Sequence, residues 1–237
     1  MNRLWTDRIK IERMIEKGMH IYKRFFKRFY DLIFSLIMMP ILLVIFIVIG
    51  LLIKASDGGP IFYNGMRLGK NSKIFKMYKF RSMKVNSLDL RNADGSTYNA
   101  KDDPRLTRVG KYIREIGIDE IPQLLNIIKG DESFIGPRPD LPDALNIYQK
   151  DERQRNEVRP GITGYSQAFF RNNQPLHERF QTDVFYANNI SLLLDLKILF
   201  KTVGTVIFRR GIYRNTIEKL ETSPQKGQCK TKEHSNR

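Results

Sequence analysis

Two adjacent acids, Asp119 and Glu120, are the residues of this chain whose types and setting most strongly suggest chemistry. They lie in the stretch REIGIDEIPQLLN (residues 114–126), between two isoleucines and ahead of further apolar residues. Adjacent carboxylates in such a setting repel each other and lose hydration, which disfavours their charged forms. A chain that keeps both acids there has to surround them with groups that favour negative charge.

A helix that starts at these acids would supply one such group. Pro122 is excluded from a helix interior but tolerated in a first turn, and apolar residues follow it at helical spacing. We therefore predict a helix with Asp119 as its N-cap and Glu120 in its first turn. Capping alone would explain both acids. The positive helix end would also keep Asp119 ionised and nucleophilic and would attract phosphate, so both interpretations stay open.

Three arginines stand where a rigid backbone could hold them beside an anion. Arg114 lies one short turn upstream of the acids, and Arg138 stands between prolines in GPRP (residues 136–139). Arg159 precedes a proline in VRPGITGYSQ (residues 158–167). Proline restricts its own φ and the preceding residue, and the planar guanidinium suits bidentate phosphate recognition. Rigid loops that carry solvated charges are the alternative.

The overall charge indicates an anionic partner. The 237 residues include 41 Lys and Arg against 25 Asp and Glu, a formal net charge of +16. Nucleic acid, phospholipid headgroups and phosphorylated substrates are all compatible with this excess. The single cysteine, Cys229, excludes a disulfide within the chain, and three scattered histidines offer no zinc-type cluster. The sequence contains no Walker-type loop, Rossmann fingerprint, nucleophile elbow or nucleic-acid motif.

The segments around these residues predict a compact α+β domain that is mostly helical. Residues 61–63 and 74–80 have strand-like composition, and the second segment alternates apolar residues with lysines, including Lys79. A glycine-containing turn at residues 69–71 separates them, which predicts a small β-hairpin. A polar loop is expected over residues 86–104, and helices are expected over residues 105–129.

An uncharged apolar run, residues 32–53, is long enough to cross the roughly 30 Å hydrocarbon layer of a membrane. Basic residues flank it on both sides, whereas positive charge normally marks only the cytoplasmic end of a span. A helix that enters and leaves on one face satisfies both flanks, and Pro40 offers a break because proline disrupts the preceding turn. We predict a re-entrant anchor, with a kinked spanning helix or a buried core helix as the alternatives.

Two further segments mix apolar and basic residues in the way that is typical of helices lying in the headgroup plane. One covers residues 4–29, ahead of the anchor, and the other covers residues 191–210. We predict interfacial amphipathic helices there. Packing of both segments onto a globular core is the alternative.

Six segments, taken in order, resemble the bacterial sugar transferase family, the monotopic polyprenyl-phosphate phosphoglycosyl transferases of the small single-domain type. They are KRFYDL, KIFKMYKFRSM, IDEIPQLLN, SFIGPRPDLP, VRPGITGYSQ and DVFYANNISLLLDLKIL, and the resemblance covers residues 23–210. The re-entrant helix of that family breaks at a Ser-Pro pair, whereas Pro40 of this chain follows Met39.

The resemblance implies transfer of a sugar-1-phosphate from a UDP-sugar to a polyprenyl phosphate, usually undecaprenyl phosphate, with release of UMP. Asp119 would be the nucleophile that forms an aspartyl phosphosugar, and Glu120 would help it to hold Mg²⁺. The substrate-binding residues implied by the resemblance are Lys79, Arg114, Arg138, Arg159 and Gln167. The identity of the sugar and the glycan pathway is not readable from the sequence.

The resemblance also implies a place in the cell, the cytosolic face of the bacterial inner membrane, and a role in the first membrane step of surface glycan assembly. The expected divisions are an amphipathic extension (1–22), a re-entrant anchor (23–56), a catalytic domain (57–210) and a basic disordered tail (211–237). Membrane lipid is an expected partner and nucleic acid is not. A homodimer and contacts with downstream glycosyltransferases stay open.

Two functions of other classes compete with this one. A membrane-tethered scaffold would bind anionic lipid or a partner enzyme without catalysis. A basic nucleic-acid-binding protein would bind DNA with a strong salt dependence. Release of UMP from a UDP-sugar separates the transferase from both.

Overall fold

The computed structural model describes residues 18–92, 97–98, 100, 102–170, 174–207 and 221–222. The helices are α1 (Lys27–Asp57), α2 (Arg108–Glu115), α3 (Gln123–Lys129), α4 (Tyr165–Phe169), α5 (Leu176–Asn188) and α6 (Leu192–Ile207). The strands are β1 (Phe62–Leu68), β2 (Ile74–Phe80), β3 (Leu90–Arg91), β4 (Ser133–Ile135), β5 (Gly161–Thr163) and β6 (Glu221–Thr222). They pair as two-stranded sheets, which confirms the mostly helical α+β class.

One long helix dominates the N-terminal part. A π-helical turn, Tyr22–Phe26, leads into α1, so that helical structure extends from Gly18 to Asp57. This is the one helix of the described residues that is long and apolar enough to cross a membrane, and 22 % of its most apolar window is buried against the protein. A single stripe of α1 is buried, at Asp31, Ser35, Leu42, Ile49 and Ile53. These residues recur at helical spacing and face the rest of the protein.

The helical structure of α1 runs through Pro40 without interruption. We predicted a break at Pro40, but the helix does not end there. Pro40 only leaves α1 with one amide donor fewer. The side chain of Ser35, five residues before Pro40, is buried and its hydroxyl has no hydrogen-bond partner among the described residues. The re-entrant topology of the anchor stays a prediction.

Strands β1 and β2 form the predicted hairpin, in antiparallel register with Phe62 opposite Phe80. The turn Lys70–Ser72 closes the hairpin and holds Asn71 in the left-handed region at φ 55°. At the open end, Phe62 and Phe80 stack with their ring centroids 5.6 Å apart, and both contact Phe46 of α1 edge-on. These aromatic contacts fix the hairpin on the long helix.

Helix α2 packs directly on the segment that follows the hairpin. Thr107 caps α2, because its hydroxyl accepts a hydrogen bond of 2.9 Å from the amide of Gly110. A Cβ atom at Gly110 would lie 1.8 Å from the carbonyl oxygen of Ser82, so only glycine permits this approach. Ile113 is buried against α1, whereas its neighbour Tyr112 is exposed.

The helical segment after Gly117 starts later than predicted. Residues Ile118–Glu120 form a 3₁₀ turn, and α3 begins only at Gln123, directly after Pro122. Pro122 has no amide to donate back to Ile118, so Ile121 donates to the Ile118 carbonyl at 3.1 Å instead, and the turn tightens. The predicted N-cap role of Asp119 is therefore wrong.

The C-terminal half surrounds the short parallel sheet of β4 and β5. The two arginine-proline loops lie against each other here, because the amide of Gly136 donates to Thr163 at 2.8 Å and the amide of Gly161 donates to Pro137 at 2.9 Å. Helices α4, α5 and α6 cover the sheet. The buried cluster between them consists of Ile135, Val158, Ala168, Tyr186, Ala187, Ile190 and Ile198.

Asp195 of α6 ties the start of the long helix to this core. Its carboxylate accepts hydrogen bonds from Tyr22 at 2.8 Å, from Lys27 at 2.7 Å and from Tyr186 at 2.7 Å. The opposite side of α6 exposes Leu192, Leu193, Leu196, Leu199, Phe200 and Val203. This exposed apolar face matches the composition predicted for residues 191–210, and its position in a membrane stays a prediction.

Two predicted segments fall mainly outside the described residues. Of the N-terminal segment 4–29, residues 4–17 lie outside them, and so does most of the tail, 211–237. Within the tail, Glu221–Thr222 pair antiparallel with Leu90–Arg91, which belong to the predicted loop 86–104.

Candidate active site

The two acids lie where the 3₁₀ turn meets the hairpin and the loop after β4. Asp119 is buried, at 8 % exposure. Lys79, near the end of β2, and Arg138, three residues after β4, come from separate elements to the same carboxylate, that of Glu120. The name Asp119 cluster is used below for five residues: Asp119, Glu120, Lys79, Arg114 and Glu132.

Glu120 is ion-paired with two cations. Its Oε1 lies 2.6 Å from Nζ of Lys79 and 3.4 Å from Nη2 of Arg138. Burial would raise the pKa of Glu120, but the charges of Lys79 and Arg138 outweigh burial and lower this pKa to about 2. Glu120 is therefore a carboxylate at neutral pH, and its negative charge is the one that the site compensates.

The carboxylate of Asp119 differs from that of Glu120 in its partners and in the direction of its pKa shift. Its carboxylate has no hydrogen-bond or ion-pair partner among the described residues. Burial raises the pKa of Asp119, the charge of Lys79 opposes this shift, and the charge of Glu120 adds to it. The sequence argument that a helix N-terminus keeps Asp119 ionised is not supported, because α3 starts at Gln123. The basic side chains around it favour the charged form instead.

Arg114 also belongs to this site, as the sequence suggested. Its charge lowers the pKa of both Asp119 and Glu120. Its Nη1 atom is buried and has no hydrogen-bond partner among the described residues. A buried guanidinium nitrogen without an acceptor is costly, so this atom is available for an anion that enters the site.

Glu132, for which the sequence predicted no role, lies close enough to Lys79 and Glu120 to interact with them electrostatically. It is fully buried, and neither carboxylate oxygen has a hydrogen-bond partner among the described residues. Burial raises the pKa of Glu132 to about 8, and the charge of Lys79 only partly opposes this. Glu132 therefore holds a proton at neutral pH and adds no third negative charge beside Glu120.

Asn126 of α3 positions the strand that carries Lys79. Its Oδ1 accepts from the amide of Tyr78 at 2.9 Å, and its Nδ2 donates to the carbonyl of Lys76 at 2.8 Å. A buried side chain thus replaces the partner strand that β2 lacks on this side. Because Lys79 follows Tyr78 directly, its distance from Glu120 depends on this anchor.

A second buried cluster holds the backbone of Arg138. It consists of Arg155, Asp140, Asp183 and Tyr148, and is called the Arg155 cluster below. The guanidinium of Arg155 donates to Asp183 at 2.6 Å, to the hydroxyl of Tyr148 at 2.7 Å and to the carbonyl of Arg138 at 2.8 Å, and it also pairs with Asp140. The two carboxylates raise the pKa of Arg155 against the effect of burial.

No local signal in the sequence would have revealed the Arg155 cluster. Arg155 lies in the 3₁₀ segment Glu152–Glu157, which is rich in charged residues and suggests a solvated turn. Its partner Asp183 is 28 residues away on α5. The pairing depends entirely on how α5 packs on this segment.

Arg159 and Gln167 do not join the acids. Nε of Arg159 donates to the carbonyl of Gly130 at 2.9 Å, and the side chain lines a cavity with Lys27 and Arg28 of α1. Gln167 donates weakly to the carbonyl of Ile162 at 3.4 Å. The structure thus brings together Lys79, Arg114, Arg138 and the two acids, whereas the substrate roles of Arg159 and Gln167 stay predictions.

The donor set fits Mg²⁺ only in combination with a substrate. No group of three or more His, Cys, Asp or Glu side chains forms a metal site within the part of the chain that the structure describes. Mg²⁺ at phosphate sites is typically held by one or two carboxylates together with substrate phosphates and water. Asp119 is unpaired, and Oε2 of Glu120 has no protein partner among the described residues, so both acids can serve as such ligands.

Similarity to known proteins identifies the family of this chain. The model of the family described as "Bacterial sugar transferase" matches residues 22–209. The uncharacterized sugar transferase EpsL of Bacillus subtilis is 44 % identical over 161 residues, which are 68 % of this chain and 77 % of EpsL. The exopolysaccharide production protein ExoY of Sinorhizobium fredii is 41 % identical over 173 residues, 68 % of this chain and 76 % of ExoY.

Longer relatives match over a smaller part of their length. The undecaprenyl-phosphate galactose phosphotransferase of Salmonella typhimurium is 40 % identical over 168 residues, which are 66 % of this chain and 35 % of that protein. The matched region of this chain contains the long apolar helix and every residue of the site described above. With most of its length matched by the family model, this chain belongs to the bacterial sugar transferase family.

Proposed function

We propose that this protein transfers a sugar-1-phosphate from a UDP-sugar to a polyprenyl phosphate, undecaprenyl phosphate in particular, and releases UMP. The observation that carries the proposal is a difference between the two acids. Glu120 is ion-paired with Lys79 and Arg138, while Asp119 is buried and has no ion-pair partner within the described part of the chain. Two carboxylates whose environments push their pKa values apart take different chemical roles.

The names of relatives support the substrate classes. One relative, from Erwinia amylovora, is named UDP-galactose-lipid carrier transferase and is 37 % identical over 174 residues. Another, from Aeromonas hydrophila, is named for transfer of N-acetylgalactosamine phosphate to undecaprenyl phosphate and is 38 % identical over 163 residues. Galactose and N-acetylgalactosamine donors are therefore the first to test on this chain.

In the proposed first step, an oxygen of Asp119 attacks the β-phosphorus of the UDP-sugar. The new bond joins the carboxylate to the sugar phosphate, and the bond to the oxygen that bridges the two phosphates breaks, so that UMP leaves with the electron pair. The poor solvation of Asp119 and its elevated pKa make its carboxylate a stronger nucleophile than an exposed one. Its missing hydrogen bonds leave its oxygens free for this attack.

In the proposed second step, a phosphate oxygen of the polyprenyl phosphate attacks the same phosphorus. The bond to Asp119 breaks, the carboxylate is restored, and the sugar is left on a polyprenyl diphosphate. Splitting one transfer into two displacements allows each substrate to use the same cationic site in turn. Lys79, Arg114 and Arg138 would stabilise the negative charge that shifts between phosphate oxygens in both steps.

Asp119 and Glu120 would hold Mg²⁺ together with the donor phosphates. When bound there, the ion would neutralise charge on the diphosphate and on the departing UMP. The ion pairs of Glu120 would orient its free oxygen toward that position, since Lys79 and Arg138 both contact the other oxygen.

The membrane-facing elements suit a lipid acceptor. We propose that α1 is a re-entrant anchor and that α6 lies in the headgroup plane on its exposed apolar face. A polyprenyl phosphate keeps its charged group at headgroup depth, so the site has to lie close to the membrane surface. The contacts between the hairpin and Phe46 of α1 would hold Lys79 near that level.

The test is release of UMP by the full chain in membranes that contain undecaprenyl phosphate and Mg²⁺, over a panel of UDP-sugars. We expect Asp119→Asn to lower the rate on the order of a thousandfold or more, because the amide cannot act as the nucleophile. Asp102→Asn is the matched control, since Asp102 is an exposed acid with a surface pairing to Lys111, and it should react as wild type.

The covalent step has its own measurement. With the UDP-sugar but without the acceptor, wild type should release about one UMP per enzyme and gain the mass of the phosphosugar on Asp119. Product formation by Asp119→Asn at the wild-type rate would exclude this nucleophile. If no UDP-sugar yields UMP, the transferase proposal fails and a membrane-bound scaffold becomes the better explanation.

A further inference from the structure

The hairpin face that carries Lys79 also carries two side chains that the proposed chemistry does not use. Tyr63 is the cross-strand partner of Lys79, and Arg67 lies four residues further along β1. Because side chains alternate along a strand, Tyr63, Gly65 and Arg67 share one face, while Phe62 on the other face packs on Phe46 of α1. The Tyr63–Arg67 face is therefore turned away from the long helix.

Arg67 is a partly buried cation without a carboxylate partner among the described residues. Its guanidinium donates to the carbonyl of Met66 at 2.9 Å. Burial lowers the pKa of Arg67, and the nearby charge of Arg138 lowers it further. Asp140 is close enough to act on Arg67 electrostatically, but it is ion-paired with Arg155 and Arg179. A partly buried guanidinium beside a second arginine is unfavourable unless an anion lies between them.

Gly65 allows Tyr63 and Arg67 to meet. A Cβ atom at Gly65 would lie 3.0 Å from Cε1 of Tyr63 and 3.1 Å from Nη1 of Arg67. The two side chains thus converge above the glycine and form a shelf next to Lys79. Tyr63 is 53 % exposed, so its side chain is accessible to a ligand.

We propose that this shelf, formed by Tyr63, Gly65 and Arg67, binds the nucleoside diphosphate part of the donor. Arg67 would contact the phosphate next to the nucleoside, and the ring of Tyr63 would pack on the base. A guanidinium suits bidentate contact with phosphate, and aromatic side chains stack on bases without strong sequence preference. A polyprenyl phosphate offers no base to Tyr63, and the shelf faces away from α1, so the soluble donor fits it better than the lipid.

The inference rests on the proposed function for the identity of the donor, but its test does not require turnover. The probe is UDP, titrated calorimetrically into the full chain in lipid nanodiscs without polyprenyl phosphate. We expect Arg67→Ala to weaken UDP binding about tenfold or more, since a charge-assisted contact is lost. Tyr63→Leu should weaken it about fivefold or more, whereas Tyr63→Phe should keep most of the affinity.

The matched control is Lys76→Ala, which removes a positive charge from an exposed position of the same hairpin and should leave UDP binding unchanged. Gly65→Ala retains every charge but presses on Tyr63 and Arg67, so it should also weaken UDP binding. If Arg67→Ala shifts thermal unfolding strongly, Arg67→Lys and Gly65→Ala decide the question in its place.

Wild-type UDP affinity in both Arg67→Lys and Gly65→Ala would overturn the proposal. So would a change confined to the KM for polyprenyl phosphate, because that result would assign the shelf to the lipid phosphate. In the supporting case, this KM should stay within about twofold of wild type. Arg67-dependent UDP binding in a protein that turns over no UDP-sugar would support the shelf and contradict the proposed function, so the two failures are distinguishable.

Discussion

The Arg155 cluster and the Asp119 cluster are both buried and both charged, but they differ in how completely their atoms are paired. In the Arg155 cluster, all three guanidinium nitrogens of Arg155 donate to oxygen acceptors. Asp183, at 1 % exposure, accepts from two of these nitrogens. The cost of burying these charges is offset by short hydrogen bonds within one network.

The Asp119 cluster is incomplete by comparison. Both carboxylate oxygens of Glu132 and Nη1 of Arg114 are buried without a partner among the described residues. Asp119 likewise has no partner in the ranges that the structure describes, while Glu120 has two cationic partners on one oxygen. Buried polar atoms that lack partners are rare because each costs free energy, and they persist where a ligand completes them.

The comparison separates two uses of buried charge. The Arg155 cluster joins the loop of Arg138 to α5 and thereby holds that loop in one conformation. The Asp119 cluster keeps donors and acceptors available and relies on the first cluster to hold Arg138 in place. Substitutions in the first cluster should therefore act mainly on stability, and substitutions in the second mainly on activity.

The largest expected effect on stability comes from Arg155→Met, which leaves Asp183 buried without its ion-pair partner and leaves Asp140 paired with Arg179 alone. We expect the free energy of unfolding to fall by about 3–5 kcal/mol, as is typical when one partner of a buried ion pair is removed. Denaturant unfolding of the full chain measures this. Arg153→Met, at an exposed neighbouring position, is the control and should be close to wild type. A loss of activity at unchanged stability would break the comparison.

Lys79→Gln tests the second cluster with an intermediate effect. Removal of this cation should lower UMP release about a hundredfold to a thousandfold, in line with loss of one preorganised charge-stabilising donor. Unfolding should change far less than in Arg155→Met, because Arg138 still contacts Glu120. Lys76→Gln, on the same strand and exposed, is the control for loss of charge. Equal losses of stability in Lys79→Gln and Arg155→Met would erase the distinction between the clusters.

The smallest effect concerns pH and Glu132. In the folded protein the pKa of Glu132 is about 8, against an ordinary value of 4.5, so the folded state retains a proton that the unfolded state releases. The retained proton stabilises the folded state fully below about pH 4.5, and this stabilisation is lost as the pH rises toward about 8. Glu132→Gln lacks this proton equilibrium and should gain on wild type throughout that range.

From pH 6 to pH 7, the free energy of unfolding of Glu132→Gln should rise relative to wild type by about 1 kcal/mol, since one proton contributes about 1.4 kcal/mol per pH unit. Thermal unfolding at several pH values measures it. Glu178→Gln replaces an exposed glutamate and should follow the wild-type pH dependence. A difference between wild type and Glu132→Gln that does not change with pH would show that Glu132 carries no extra proton in the folded protein.

Much of the local structure was predictable because it depends on neighbours in the chain. The alternation of residues 74–80 predicted β2, and the glycine-containing turn predicted the hairpin. The apolar run predicted a helix of membrane length, which α1 provides. The resemblance placed Lys79, Arg114 and Arg138 around the two acids, and the structure brings these residues together.

The differences between the expectations and the structure also have physical causes. The N-cap predicted at Asp119 did not form, because Ile118–Glu120 close a 3₁₀ turn, with Ile121 donating to Ile118, and α3 begins only at Gln123. Arg159 was grouped with Arg138 because both precede prolines; its guanidinium donates to the carbonyl of Gly130, away from the acids, and its substrate role stays a prediction. The role of Glu132 was not predictable, because a glutamate that follows Asp131 in the sequence is normally solvated, whereas Glu132 is fully buried.

By itself, the sequence determined the secondary structure of the strong segments, the long apolar helix and the identity of the two acids as the unusual residues. These properties follow from periodicity and residue type, which act over a few neighbouring positions. Only the tertiary structure decided which acid is paired. Lys79 and Glu120 are 41 residues apart, and Arg155 and Asp183 are 28 apart. Ion pairs between such distant residues depend on the packing of whole elements, so charge pairing at this site is a property of the fold.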